Sequence, residues 1–208
     1  MKCLVSGATG FIGRPLCQQL AARGDTLIAL SRSGASLPDG LSTLSLDLAR
    51  SDVDNACLQD VEVVFHLAGI AHQQAPAADY EKLNLDASLR LARQAAAAGV
   101  RCFIFLSSVK AMGPAVGKAP RSEGDVSLPA DPYGLSKWRA ECALREEFEG
   151  SQMAVVILRP ALVYGANAKG NLRLLANGVD RGLPRPPEGG ARSMVALPDL
   201  VELLCLLS

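Results

Sequence analysis

Gly7-Ala8-Thr9-Gly10-Phe11-Ile12-Gly13 stands between an apolar run, Lys2 to Val5, and a helical pattern from Gly13 to Arg23. A glycine series at a strand-to-helix junction makes a phosphate cradle. Gly7 permits the tight turn, Gly10 lets the backbone approach a pyrophosphate, and Gly13 allows the helix to pack closely on the strand. The free N–H groups of the first helical turn then receive the phosphates. The spacing is G-x-x-G-x-x-G, one residue longer than the common dinucleotide fingerprint.

Beyond this stretch, apolar runs and helical patterns alternate. Strands are predicted at Lys2 to Val5, Thr26 to Leu30, Leu41 to Leu46, Val61 to Leu67, Val100 to Ser107 and Ala154 to Leu158. Helices are predicted over Gly13 to Arg23, Asp79 to Ala98, Tyr133 to Glu149 and Asn171 to Arg181. That rhythm is the βαβ signature of an α/β fold, a Rossmann-type doubly wound parallel sheet with helices on both faces. Leu183 to Gly190, with three prolines and two glycines, reads as a loop. Residues 1–165 are expected to form the cofactor-binding core with its catalytic groups, and 166–208 the start of a substrate-binding region. The apolar run Leu200 to Ser208 carries no cap, following glycine or polar tail, so the substrate-covering part is expected to be missing or to continue past Ser208.

The 208 residues are 49% hydrophobic and 20% charged, enough for a sizeable core and against disorder. Lys plus Arg number 21, as do Asp plus Glu, so no positive field draws nucleic acid or anionic lipid. A small neutral or anionic metabolite is the expected partner. Cys3, Leu4 and Val5 already belong to a strand, which leaves no room for a signal segment, and no apolar run approaches the roughly 20 residues that span a bilayer. Cytoplasmic residence is the expectation. Cys3, Cys17, Cys57, Cys102, Cys142 and Cys205 are scattered, with no C-x-x-C pair and no neighbouring histidine, so no metal site is expected. His66 and His72 are the only histidines, little material for imidazole chemistry.

The second strand ends in Leu30-Ser31-Arg32-Ser33, with no carboxylate to accept the ribose 2′-hydroxyl of NAD. Arg32, aided by Arg14, is placed instead to pair with a 2′-phosphate, since a guanidinium binds phosphate bidentately. NADP(H) is the favoured cofactor and NAD(H) the alternative.

Tyr133-Gly134-Leu135-Ser136-Lys137 sets a tyrosine and a lysine four residues apart, on one face of a helix. A nearby ammonium favours the phenolate and lowers a tyrosine from its usual pKa of about 10 toward the working range. Asp131-Pro132 supplies a cap and a turn, which places Tyr133 at the helix mouth. Phe103 to Ser108 is a buried strand ending in hydroxyls, at the carboxyl edge where open α/β sheets bind ligands.

These motifs, in this order, resemble the extended branch of the short-chain dehydrogenase/reductase superfamily, the NAD-dependent epimerase/dehydratase family. The resemblance runs from Gly7 to Val195–Val201, which looks like the family's late strand and helix. It implies that Tyr133 is the general acid or base, that Lys137 anchors the cofactor ribose and tunes Tyr133, and that Ser108 donates a hydrogen bond to the reacting oxygen. It implies cofactor contacts from Gly7, Thr9, Gly10, Phe11, Ile12, Gly13 and Pro160. Asp47 and Leu48 resemble the adenine-contacting pair, and Leu67, Ala68 and Gly69, after His66, the loop under the adenosine ribose. Asn171 and Arg192 match positions that hold the substrate's nucleotide diphosphate. Asn84 resembles the family's helix asparagine and fits a polar packing or capping residue equally well.

Dehydratases of this branch place Asp-Glu after the active-site Thr. Here Val109 and Lys110 follow Ser108, which disfavours dehydration. Ser107 to Gly113, Ser136-Lys137-Trp138 and Arg159 to Gly165 look most like nucleotide-sugar 4-epimerases and the 4-reductases of UDP-linked 4-keto-6-deoxy-N-acetylhexosamines used in surface polysaccharide assembly. Met112 departs from the tyrosine that many epimerases carry before the glycine. The implied reaction is hydride transfer to the C4 carbonyl of a UDP-4-keto-sugar, with Tyr133 protonating the oxygen and Ser108 stabilising it. The alternatives are a UDP-sugar 4-epimerase with tightly bound NAD and a catalytically silent dinucleotide sensor. A homodimer through the helices Asp79 to Ala98 and Tyr133 to Glu149 is also implied, with Ala95 to Ala98 allowing close approach.

Overall fold

A computed structural model of the chain describes residues 1–71, 75–114, 119–168, 171–184 and 193–208. Its main sheet is parallel and consists of β1 (Lys2–Ser6), β2 (Thr26–Ser31), β3 (Leu44–Ser45), β4 (Val63–His66), β5 (Cys102–Leu106) and β6 (Ala154–Leu158), in the order β3-β2-β1-β4-β5-β6. The order reverses between β1 and β4, where an open α/β sheet leaves a crevice beyond its strand ends. Cys3-Leu4-Val5 and Phe103-Ile104-Phe105 are buried throughout, so they read as unbroken apolar runs and not as an alternation.

The helices are α1 (Gly13–Ala22), α2 (Asn55–Leu58), α3 (Ala77–Tyr80), α4 (Ala87–Ala97), α5 (Pro132–Phe148), α6 (Asn171–Asp180) and α7 (Leu197–Leu206). One core joins the sheet to α4 and α5 through Leu4, Phe103, Leu91 and Leu144. The other joins it to α1 and α7 through Val5, Phe65, Leu16 and Leu204. The doubly wound expectation is met.

Several boundaries differ from expectation. The strand expected over Leu41 to Leu46 contracts to Leu44–Ser45, exposed at the sheet edge, because Leu41 is taken up in a turn whose Leu37 N–H donates to the Leu41 carbonyl. The long helix expected over Asp79 to Ala98 is α3, a π-helical turn Glu81–Asp86, and α4. Within it, Ala95 is buried against the chain's own core, while Ala97 and Ala98 are exposed. β7 (Leu162–Tyr164) pairs with β8 (Met194–Ala196) in a separate two-stranded sheet. β8 leads directly into α7, whose Leu197, Leu200, Val201 and Leu204 share a core with β1 and α1. No described helix is long and apolar enough to cross a membrane.

Candidate active site

The glycine cradle is built from backbone contacts. Gly7 has φ +73°, and a Cβ there would lie 2.8 Å from the Ala68 nitrogen, so the loop after β1 and the loop after β4 meet backbone to backbone. At Gly13 a Cβ would fall 2.2 Å from the Gly7 carbonyl oxygen. The Gly10 N–H donates to that same oxygen at 2.9 Å, closing the turn that contains Thr9. α1 then opens at Ile12 with no side-chain cap, next to Phe11, and its Arg14 N–H turns back to the Gly10 carbonyl at 3.2 Å. A cradle with no room for side chains, at a helix mouth and at the switch point of the sheet, fits a dinucleotide pyrophosphate.

Around it, the expected adenosine side is partly assembled. Arg32 is exposed just past β2 and has no ion pair among the described residues. Arg14 turns its Nε to the Thr9 carbonyl at 2.9 Å. Asp47 accepts from the Ala49 N–H at 3.1 Å and pairs with Arg50 at 3.4 Å, while Leu48 is buried in the core. The Leu67 N–H donates to the Ser6 carbonyl at 3.2 Å and the Ala68 N–H to the Ser6 hydroxyl at 3.3 Å. His66 lies between the Ser6 and Ser88 hydroxyls, at 2.7 and 2.8 Å, and stacks on Phe105. Burial pushes it down to about 3, so it is a neutral packing residue.

Asp131 caps α5 by accepting from the Gly134 N–H at 3.0 Å, and Pro132 opens the helix, so Tyr133 stands at the helix mouth as expected. Ser108 follows β5 in extended conformation, and its hydroxyl accepts from the Lys110 N–H at 3.2 Å, opening a 3-10 turn, Val109–Met112. The Ser108 hydroxyl stands close enough to the Tyr133 phenol to favour its charged form. Burial raises the Tyr133 phenol most, the Ser108 hydroxyl opposes it, and Asp131 and Tyr80 add to the rise, leaving it above its ordinary value.

Lys137 reaches from α5 toward β5. Its Nζ donates to the Leu106 carbonyl at 2.9 Å and lies 4.4 Å from the centre of the Phe105 ring. Burial pushes it down to about 7. The spacing places both side chains on one helix, and the ammonium faces β5.

Asn84 was left open between two roles. It is fully buried, holding both the N–H and the carbonyl of Ile70, at 2.9 and 3.1 Å, and donating to the Ser136 hydroxyl at 3.0 Å. It thus ties the loop beyond Gly69 to α5. Sequence reasoning missed Glu141 and Arg159, a buried ion pair beside the catalytic segments. Its signal was a glutamate eight residues after Tyr133, on the helix face that carries Lys137. Pro160 is half-buried and accepts from the Val109 N–H at 3.2 Å. Arg192 lies outside the described residues, as does the side chain of Asn171, the first residue of α6.

The model of the NAD dependent epimerase/dehydratase family matches residues 3–186. A UDP-glucose 4-epimerase of Vibrio cholerae is 35% identical over 212 residues, covering 97% of this chain and 64% of that protein. The chain spans less than two thirds of the length of such curated relatives. The structure of MoeE5 in complex with UDP-glucuronic acid and NAD is similar with a TM-score of 0.83 at 30% identity, covering 100% of this chain and 72% of that one. The UDP-glucose 4-epimerase of Thermotoga maritima with UDP-glucose is similar with a TM-score of 0.82 at 26% identity, covering 99% and 73%.

Proposed function

The chain belongs to the NAD dependent epimerase/dehydratase family, and from that premise we propose that it acts at C4 of a UDP-linked sugar, as a 4-epimerase that keeps NAD bound through its cycle. The observation that carries this reading is the approach of the Ser108 hydroxyl, just past β5, to the Tyr133 phenol at the mouth of α5. The relative named UDP-glucose 4-epimerase and the neighbour holding NAD with a UDP-sugar support the choice of substrate class and of NAD.

When bound, the nicotinamide supplies the hydride acceptor and donor. Gly7, Thr9, Gly10, Phe11, Ile12 and Gly13 receive the pyrophosphate; Asp47, Leu48, Leu67, Ala68 and Gly69 line the adenosine; Lys137 and Pro160 flank the nicotinamide end. Tyr133 takes the C4 hydroxyl proton and returns it, while Ser108 donates to the same oxygen as charge builds there. The returning step needs a protonated phenol, the form that burial favours, and the departing step needs the form that the Ser108 hydroxyl favours. Asn171 and Arg192 hold the sugar's diphosphate, and 166–208 begins the region that covers the substrate. Val109 and Lys110 after Ser108 offer no acid and base pair for dehydration.

A second reading, reduction of a UDP-4-keto-sugar by exchangeable NADPH, is favoured by the exposed Arg32 where a carboxylate would face the ribose of NAD. Denaturing the purified protein and assaying the released nucleotide separates the two. Stoichiometric NAD, with interconversion of UDP-glucose and UDP-galactose, is the expected result. Exchange with added NADPH would replace the epimerase with the reductase, and dinucleotide binding with neither activity would leave a sensor.

A further inference from the structure

Glu141 is the only fully buried acidic residue among those described, and it stands on α5 one turn beyond Lys137. Its carboxylate is fully engaged. Arg159 approaches both oxygens through Nε, at 3.0 and 2.9 Å, and places Nη2 2.5 Å from Oε2. The Ser107 hydroxyl donates to Oε1. Arg159 also donates to the Glu123 carbonyl at 2.9 Å, and Arg145 lies 3.6 Å from the same carboxylate.

Both close partners sit next to residues of the site. Ser107 precedes Ser108, and Arg159 precedes Pro160. The backbones continue the link, since the Ser107 N–H donates to the Leu158 carbonyl at 2.7 Å and the Val109 N–H to the Pro160 carbonyl at 3.2 Å. One carboxylate therefore ties the ends of β5 and β6 to the helix that presents Tyr133 and Lys137. Stability alone does not account for it, because replacing a buried ion pair with apolar residues of similar volume is often neutral or stabilising.

We propose that Glu141 is a positioning residue: held by Arg159 and Ser107, it sets Ser108 and Pro160 against Tyr133 and Lys137 without touching substrate or cofactor. This rests on the roles assigned above to Ser108, Tyr133 and Lys137. The charge of Glu141 also supports the Lys137 ammonium against the burial that drives it down to about 7. The other described groups near Lys137 are His66 on β4, the Leu106 carbonyl and Phe105 ring on β5, and Asn84 on the π-helical turn. None of these is an anion at neutral pH, so among the described groups Glu141 is the anion that favours the Lys137 ammonium.

Glu141→Gln leaves Arg159 buried without its counter-charge and threatens the fold. Glu141→Gln/Arg159→Gln removes both charges and is the deciding variant, in the full chain. NADH affinity of nucleotide-free protein is followed by fluorescence across neutral and mildly alkaline pH, alongside kcat and KM for UDP-glucose. Wild-type affinity is expected to fall as pH rises through the pKa of Lys137. In the folded double variant that fall moves to lower pH, and kcat drops about tenfold or more with KM little changed. A cooperatively folded double variant with the wild-type NADH profile and kcat would overturn the proposal. If the wild type converts no UDP-sugar, the proposed activity falls and the NADH profile alone decides the role of Glu141.

Discussion

Gly134→Ala tests how closely the two catalytic segments must approach. A Cβ at this position would lie 2.6 Å from the Lys110 carbonyl oxygen, 2.9 Å from Asp131 Oδ2 and 3.2 Å from Pro129 Cβ. The first neighbour is backbone of the turn that opens at Ser108, and ordinary contact begins near 3.4 Å. The mouth of α5 and the Ser108 turn must therefore separate by most of an ångström. Helix propensity favours alanine over glycine by about 1 kcal/mol. Overpacking typically costs about 1–3 kcal/mol, and a backbone carbonyl yields less readily than a side chain, so the clash wins. The expected net loss of about 1 kcal/mol lowers Tm by about 2–4 °C in a chain of this size. Turnover suffers more, because displacing a positioned group by about 1 Å can reduce the rate about 10²-fold. Thermal unfolding, NADH titration and kcat for UDP-glucose would show a slightly lower Tm, retained cofactor affinity and the loss in kcat. A variant with raised Tm and unchanged kcat would refute the close approach.

Tyr133→Phe keeps the ring and deletes the proton carrier, so kcat should fall about 10²–10⁴-fold while binding survives; turnover above about a tenth of wild type would remove the assignment. Arg32→Asp should move the NADP/NAD preference by more than about tenfold, or about 1.4 kcal/mol, and an unchanged ratio of affinities would make Arg32 a solvated charge. Burial holds His66 at about 3, below its usual 6.5. The unfolded chain takes up this proton first as pH falls, so the stability contributed by the neutral ring is complete above about 6.5 and is lost between about 6.5 and about 3. Urea unfolding at pH 7 and pH 5 should differ by up to about 2 kcal/mol from this group, and a slope unaltered in His66→Gln would assign it elsewhere. Light scattering at micromolar concentration should give a dimer mass through α4 and α5, and a strictly monomeric mass would remove that pairing.

The parallel sheet was legible because strands buried on both faces leave unbroken apolar runs, as in Phe103-Ile104-Phe105. The helix mouth at Tyr133 was legible because capping is local chemistry, written in Asp131-Pro132. The π-helical turn was not, since the burial of Asn84 depends on the Ile70 backbone, distant in sequence. β3 was overextended because an exposed edge strand lacks the packing that would hold Leu41 in line. The partners of Glu141 were illegible for the same reason as those of Asn84: Ser107 and Arg159 come from other strands.

The direction of Lys137 marks the same limit at the site. A spacing of four residues states that two side chains share a helix face, and it is silent about what the longer one touches. Lys137 reaches down to the Leu106 carbonyl, and its Nζ would lie 3.3 Å from a Cβ on Gly69. The ammonium therefore sits beneath the loop assigned to the ribose, with Glu141 behind it, whereas the phenol of Tyr133 is governed by Ser108, Asp131 and its own burial. That placement is what the proposed anchoring of the ribose by Lys137 draws on. In the proposed reaction the proton passes through Tyr133 beside Ser108, so the distance that Gly134 permits between their two segments is the quantity on which turnover should depend.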